Sequence, residues 1–218
     1  MTSPLLQARG LQRRLGERLL WQGIDLELLA GERLALVGPA GCGKTLLLRQ
    51  LACLDPLEAG QLWLRGRPPQ AWGLPRYRAR VAYLAQRPQA FAGTVAHNLA
   101  EPWTYRCHQG RRQGPRAESE RWLAWLGQLG RDRTFLDLDA ERLSGGEAQL
   151  LALLRLLQLD PEVLLLDEPS AALDGATTRQ LELVLQEWLA GGERALILTS
   201  HDPDQVKRSC DRQLELGP

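Results

Sequence analysis

Apolar and polar positions along the chain fall into short, sharply bounded segments. Arg33-Leu34-Ala35-Leu36-Val37 is an apolar run closed by Gly38-Pro39, and Val163 to Leu166 and Ala195 to Thr199 are two more of the same kind. Short apolar runs bounded by turn formers read as strands buried on both faces. Val81 to Leu84 reads as a further strand. Thr45 to Cys53 reads as a helix after the first run, and Thr178 to Leu189 has amphipathic helical spacing between the other two. Strands alternating with helices predict a mostly parallel sheet covered on both faces.

Two regions depart from that alternation. The segment before Arg33 has the pattern of short antiparallel strands with polar turns at Gly16-Glu17-Arg18 and Ala30-Gly31-Glu32. Residues from Arg87 to Arg155 read as helical, and Trp122, Leu123, Trp125, Leu126 and Leu129 recur at helical spacing, which predicts a core stripe. The expectation is one α/β domain over 1–218. Its core comprises 1–86 and 156–218, with an antiparallel β subdomain at the N-terminus and a helical subdomain, 87–155, inserted into the sheet.

Composition narrows the function classes. With 218 residues, 44% hydrophobic and 24% charged, the chain has ordinary globular usage and can build a sizeable core. Its 27 basic and 26 acidic residues set up no global field toward nucleic acid or an anionic membrane, so no nucleic-acid partner is expected. Arg111, Arg112 and Arg116 form one local basic cluster among Gly110, Gly114 and Pro115, read as a solvated loop. No segment approaches the roughly 20 apolar residues that span a bilayer, and no leader pattern is present. A cytosolic chain is expected, whose membrane role needs a partner. Cys42, Cys53, Cys107 and Cys210 are scattered, which argues for reduced thiols. Cys107 beside His108 supplies too few ligands for structural zinc.

Candidate chemistry concentrates at strand ends. Gly38-Pro39-Ala40-Gly41-Cys42-Gly43-Lys44-Thr45 fits the GxxxxGK[ST] phosphate loop and lies between a predicted strand and a predicted helix, the context that motif requires. Its glycines let backbone N–H groups close around phosphates, and the helix start adds about half a positive charge. Lys44 neutralises phosphate oxygens, and the Thr45 hydroxyl can hold Mg²⁺. A second apolar run ends in Asp167-Glu168. Adjacent acids on a strand face opposite ways, so Asp167 can reach Mg²⁺ while Glu168 polarises an attacking water. Taken alone, that pattern equally fits a strand running into an acidic turn.

Leu143-Ser144-Gly145-Gly146-Glu147 resembles the LSGGQ signature of ATP-binding cassette (ABC) proteins, with Glu147 for the last glutamine. Ser144 and the Gly145 and Gly146 amides at a helix start form an anion site. The resemblance implies a P-loop ATPase with ATP and Mg²⁺, acting as a homodimer in which this turn completes the nucleotide pocket of the opposite copy. It assigns Gln86 to γ-phosphate and Mg²⁺ sensing, Ser170 to Asp174 to a dimer-contact loop, and His201 to the γ-phosphate. Transport would pass through a separate multi-spanning membrane permease, with this subunit cytoplasmic and peripheral on the inner face of the cell membrane. Two positions depart from the family pattern: Leu15 stands where an aromatic ring usually stacks on adenine, and Leu150 where an arginine is common.

Within the class the chain resembles the ATP-binding subunit of the Fet (Ybb) type bacterial transporter, described as an iron exporter. The carrying segments are Ser3 to Gln7, Gly93 to Leu99 with Pro102-Trp103, and Leu153 to Gln158. Two other readings compete. A non-transport cassette ATPase of DNA repair or translation usually has a long coiled-coil insertion or two cassettes, neither of which is present. A catalytically silent module is suggested only by Leu15 and Leu150, against intact carboxylates.

Overall fold

The computed structural model describes residues 3–108 and 115–217, the side chains of the second stretch from 118 onward. Of the basic cluster, Arg111 and Arg112 lie outside the described residues, and so does the side chain of Arg116.

Strands β1 (Leu6–Leu15) and β2 (Arg18–Leu28) form an antiparallel hairpin, and β1 also pairs with β4 (Ala59–Leu64), giving a three-stranded sheet of order β2-β1-β4. Alternation drives it: Leu6, Ala8 and Leu11 are buried while Arg9 is exposed. The hairpin strands are ten and eleven residues long, longer than the polar positions in the sequence suggest, because β1 shifts register around Gly10 and so keeps its apolar side inward.

The second sheet is wholly parallel, of order β5-β6-β7-β3-β8, with β3 (Arg33–Val37), β5 (Val81–Leu84), β6 (Val163–Asp167), β7 (Ala195–Thr199) and β8 (Arg212–Glu215). Its apolar runs feed two cores by turns. Val163, Leu165, Ala195 and Ile197 pack with the hairpin and with Leu47, Leu48 and Leu51 of helix α1 (Lys44–Leu51). Leu164, Leu166, Leu196 and Leu198 face the other way. That second core is closed by α4 (Val95–Ala100), α5 (Pro115–Gln128), α6 (Gly145–Leu157) and α7 (Gly175–Ala190). Each fully buried leucine contributes about 1.5–3 kcal/mol, so the run pattern fixes the central strands firmly.

Short helices α2 (Pro69–Trp72) and α3 (Leu74–Arg78) lead into β5, and α8 (Pro203–Ser209) follows β7. Between β5 and β6 the chain is helical in pieces. Asp132 and Asp139 each cap a separate 3₁₀ turn, and Pro102 lies in the first positions of another. Trp122 and Leu126 of α5 are buried, as is Leu129 just after it. The indole N–H groups of Trp122 and Trp103 both donate to Oε1 of buried Gln158, at 2.9 and 3.1 Å.

Candidate active site

The four chemistry-bearing segments all leave the C-terminal ends of neighbouring parallel strands, where open α/β sheets bind ligands. The phosphate loop follows β3, Gln86 follows β5, Asp167-Glu168 ends β6 and His201 follows β7.

Gly38, Gly41 and Gly43 all have left-handed φ, of 146, 73 and 98°. Two of them are also fixed by space. A Cβ on Gly43 would sit 2.7 Å from the Trp21 indole nitrogen, and one on Gly38 would sit 2.4 Å from the Leu216 carbonyl oxygen. Pro39 and Ala40 form the bend between them, and Cys42 is turned into the core with its amide donating to the Pro39 carbonyl at 3.3 Å. The Lys44 ammonium donates to the carbonyls of Gly38 and Pro39 at 2.8 and 3.1 Å, which places a positive charge inside the loop. Gly43 caps α1 without a side-chain bond and the first turn has no acidic residue. The amides of Lys44, Thr45 and Leu46 therefore form a positive rim open to an anion. Gly43→Ala is expected to cost more than the about 1–2 kcal/mol of a left-handed side-chain residue, because Trp21 must also move; the lowered thermal midpoint is read by calorimetry.

Asp167 and Glu168 lie in different surroundings. The Asp167 carboxylate is 3% exposed and accepts hydrogen bonds from the hydroxyls of Thr199 and Tyr83, both at 3.0 Å. Burial first, then the nearby Asp167 charge, pushes the Tyr83 phenol well above its ordinary range, so it stays a protonated donor. Among the described residues no basic side chain pairs with Asp167. Carboxylate, hydroxyl and amide oxygens are the kinds of donor that Mg²⁺ takes, and Asp167, Thr45 and Gln86 supply one of each near neighbouring strand ends.

Glu168 sits past the end of β6 with φ 50°, a left-handed conformation that costs a non-glycine residue about 1–3 kcal/mol. This kink, rather than strand alternation, separates its side chain from that of Asp167. The Glu168 amide donates to the Thr199 hydroxyl at 2.9 Å and holds the turn. Gln86 Nε2 donates to Glu168 Oε2 at 2.8 Å, and His201 Nε2 lies 2.7 Å from Glu168 Oε1. Three residues separated widely in sequence thus meet around one carboxylate.

The signature turn is built separately. Ser144 caps α6 in a capping box: its hydroxyl accepts from the Glu147 amide at 3.3 Å, while the Glu147 carboxylate accepts from the Ser144 amide at 3.0 Å and its hydroxyl at 2.7 Å. These bonds hold the Glu147 carboxyl below the usual range. A Cβ on Gly146 would meet the Ala172 carbonyl at 2.8 Å, and one on Gly145 would lie 3.5 Å from the Ala172 side chain, so the turn rests against the 170–174 loop of its own chain. Asp174 caps α7 by accepting from the Thr177 amide at 2.8 Å. Among the described residues no hydrogen bond or ion pair joins Ser144, Gly145, Gly146 or Glu147 to the phosphate loop.

Leu15 ends β1, 62% exposed, opposite Arg18. Leu150 is fully buried in the second core, packed among apolar side chains. Tyr83 and Thr199 were not singled out by the sequence pattern. Their place on strands flanking β6 is the signal that connects them to Asp167.

The ABC transporter family profile matches residues 21–171. The chain is 33% identical over 216 residues to "Probable iron export ATP-binding protein FetA" of Escherichia coli K12, covering 99% of this chain and 92% of that one. It is 39% identical over 213 residues to "Aliphatic sulfonates import ATP-binding protein SsuB 3" of Paraburkholderia xenovorans LB400, covering 97% and 77% respectively. Among solved structures, an ATP-binding subunit of an ABC transporter superposes with TM-score 0.85 at 24% identity over 97% of this chain and 85% of that one. A dimeric post-hydrolysis ATP-binding cassette bound to ADP and Pi superposes with TM-score 0.83 at 23% identity over 97% and 94%.

The chain belongs to the ABC transporter family. It is an ATP-binding, ATP-hydrolysing subunit of that family, with ATP as substrate and Mg²⁺ as the usual cofactor. Among the described residues no helix is long and apolar enough to cross a membrane.

Proposed function

We propose that two copies of this chain close around two ATP molecules and drive a separate multi-spanning permease from the inner face of the membrane. The supporting observation is the convergence of Gln86 and His201 on Glu168 at the edge that also carries the phosphate loop. Lys44 and the first amides of α1 bind the phosphates. Glu168 accepts a proton from the water that attacks the γ-phosphorus, and Gln86 and His201 set its direction. Thr45, Asp167 and Gln86 would hold Mg²⁺, which neutralises phosphate charge when bound. Ser144, Gly145, Gly146 and Glu147 of one copy face the triphosphate of the other, and 170–174 lines the contact between copies. In this reading 87–155 is the helical subdomain that carries the signature turn and receives the permease, while 1–86 and 156–218 form the nucleotide-binding core.

For cargo, we propose iron or a related metal ion moving outward. The support is the likeness to the relative whose printed name is iron export, 33% identical over 216 residues, and it stands beside an aliphatic sulfonate importer that is 39% identical over 213 residues. Deleting the gene is expected to raise cellular iron and iron sensitivity, measured by elemental analysis. Normal iron with lost growth on aliphatic sulfonates contradicts the cargo assignment.

Leu15 offers an independent check on the base pocket. Stacking a base on an aromatic ring is worth about 1–3 kcal/mol, and about 1.4 kcal/mol is tenfold in affinity. Leucine keeps part of the apolar contact, so the low end of that range applies, and Leu15→Tyr is expected to tighten ATP binding about five- to tenfold, read by isothermal titration. Unchanged affinity removes Leu15 from the adenine site.

A further inference from the structure

Gln205 is a polar residue of α8, only 2% exposed, which neither the family motifs nor the mechanism above uses. Its Oε1 accepts two hydrogen bonds, from the Ser170 hydroxyl at 2.8 Å and from the Ser200 hydroxyl at 2.7 Å. An amide oxygen has two lone pairs, and both are used. Ser170 opens the loop after Glu168, where the Ala171 amide donates back to the Glu168 carbonyl at 3.2 Å. Ser200 immediately precedes His201, and its hydroxyl also accepts the Asp202 amide at 3.0 Å. One buried amide therefore ties together, from behind, the two loops whose side chains meet 2.7 Å apart as Glu168 and His201.

The arrangement matters because both residues stand beyond the strand ladder, with the Glu168 amide tied to the sheet through the Thr199 hydroxyl. β6 ends at Asp167 and β7 at Thr199, so Glu168 and His201 both stand beyond the last strand residue. Glu168 adds a left-handed φ that only its surroundings maintain. A misplacement of about 1 Å in a reacting constellation can cost about 100-fold in rate, so a clamp behind both loops has leverage on turnover.

We propose that Gln205 is a positioning residue for ATP hydrolysis, which fixes the spacing of Glu168 and His201 by holding Ser170 and Ser200 on one oxygen. This rests on the assignment of Glu168 and His201 made above. It places Gln205 outside contact with nucleotide, so its loss acts on kcat and spares KM.

The test compares Gln205→Met, Gln205→Glu and Glu168→Gln with the parent in steady-state ATPase assays, with thermal midpoints measured alongside. Gln205→Met keeps the length and loses the strong acceptor. It is expected to lower kcat about tenfold or more with KM for ATP changed less than about twofold. Gln205→Glu keeps the acceptor and is expected to restore most of kcat. Ser200→Ala, which removes one of the two bonds, is expected to give a partial loss that is not additive with Gln205→Met. Parental kcat in Gln205→Met overturns the proposal. So does a fall in kcat that comes with a matching rise in KM and a lowered midpoint, or one that Gln205→Glu does not restore, since each marks a structural role only. Should Glu168→Gln itself turn over normally, the assignment of Glu168 fails first, whatever the Gln205 variants do.

Discussion

Replacing Glu168 by glutamine is expected to lower ATP turnover by at least about 100-fold while ATP affinity stays within about twofold of the parent. The substitution keeps the size and hydrogen-bonding capacity that the surroundings require. Gln86 Nε2 still finds an amide oxygen where it now meets Oε2 at 2.8 Å, and the new amide nitrogen stands where Oε1 now lies 2.7 Å from His201 Nε2. What disappears is the basic oxygen to which the proposed function gives the water proton, and general-base catalysis is worth about 10²–10⁴ in rate. Binding is spared because the groups that hold phosphate lie on another strand end, around Lys44. Steady-state phosphate release and nucleotide titration on the same preparation read the two quantities. Equal turnover removes Glu168 from the chemistry, and a large loss of affinity moves its role to binding.

The second large effect belongs to Lys44. Its ammonium is anchored on the Gly38 and Pro39 carbonyls and so is held inside the loop, already aimed at a bound anion. A hydrogen bond to a charged group contributes about 1.5–3 kcal/mol, so Lys44→Ala is expected to weaken ATP binding about ten- to 100-fold. The fold should survive, since among the described residues the removed side chain bonds only to its own loop, and it fills no core position. Titration with ATP checks the affinity, and circular dichroism checks the fold. Parental affinity would mean that the amides of α1 bind the phosphates without the lysine.

These two residues were legible in the sequence for different reasons. The strand before the phosphate loop is read correctly, Arg33 to Val37, because a short apolar run closed by Gly-Pro has few other uses. Lys44 follows from a dense local motif. Helix starts are less legible. α6 and α7 begin at Gly145 and Gly175, each three residues before the periodic apolar pattern becomes visible, because Ser144 and Asp174 cap them. The Ser144-x-x-Glu147 spacing is itself a capping signal that marks the earlier start. β4 and β8 were not anticipated: β4 opens on Ala59-Gly60-Gln61 and β8 is largely polar, so neither shows a bounded apolar run. Tyr83, Thr199 and Gln205 were hidden for a deeper reason. Each acts on a residue of another strand or loop, and strand order, which brings β5, β6 and β7 side by side, is a property of the folded sheet.

The signature turn carries the largest claim about function. In a single copy it packs on its own 170–174 loop with Ser144 engaged by Glu147, and it makes no hydrogen bond to the phosphate loop among the described residues. A turn in which Gly146 lies close against the Ala172 backbone, and whose Gly145 and Gly146 amides have no hydrogen-bond partner among the described residues, has the chemistry of a phosphate site. In the proposed function, a second copy brings the triphosphate to it.

The most direct measurement is therefore the solution mass of the Glu168→Gln variant by light scattering, with and without ATP and Mg²⁺. The expected result is a single copy without nucleotide and twice that mass with it, the doubling being lost when Ser144 is also replaced by arginine. A single copy in saturating ATP, or a dimer indifferent to Ser144, contradicts the two-copy nucleotide site.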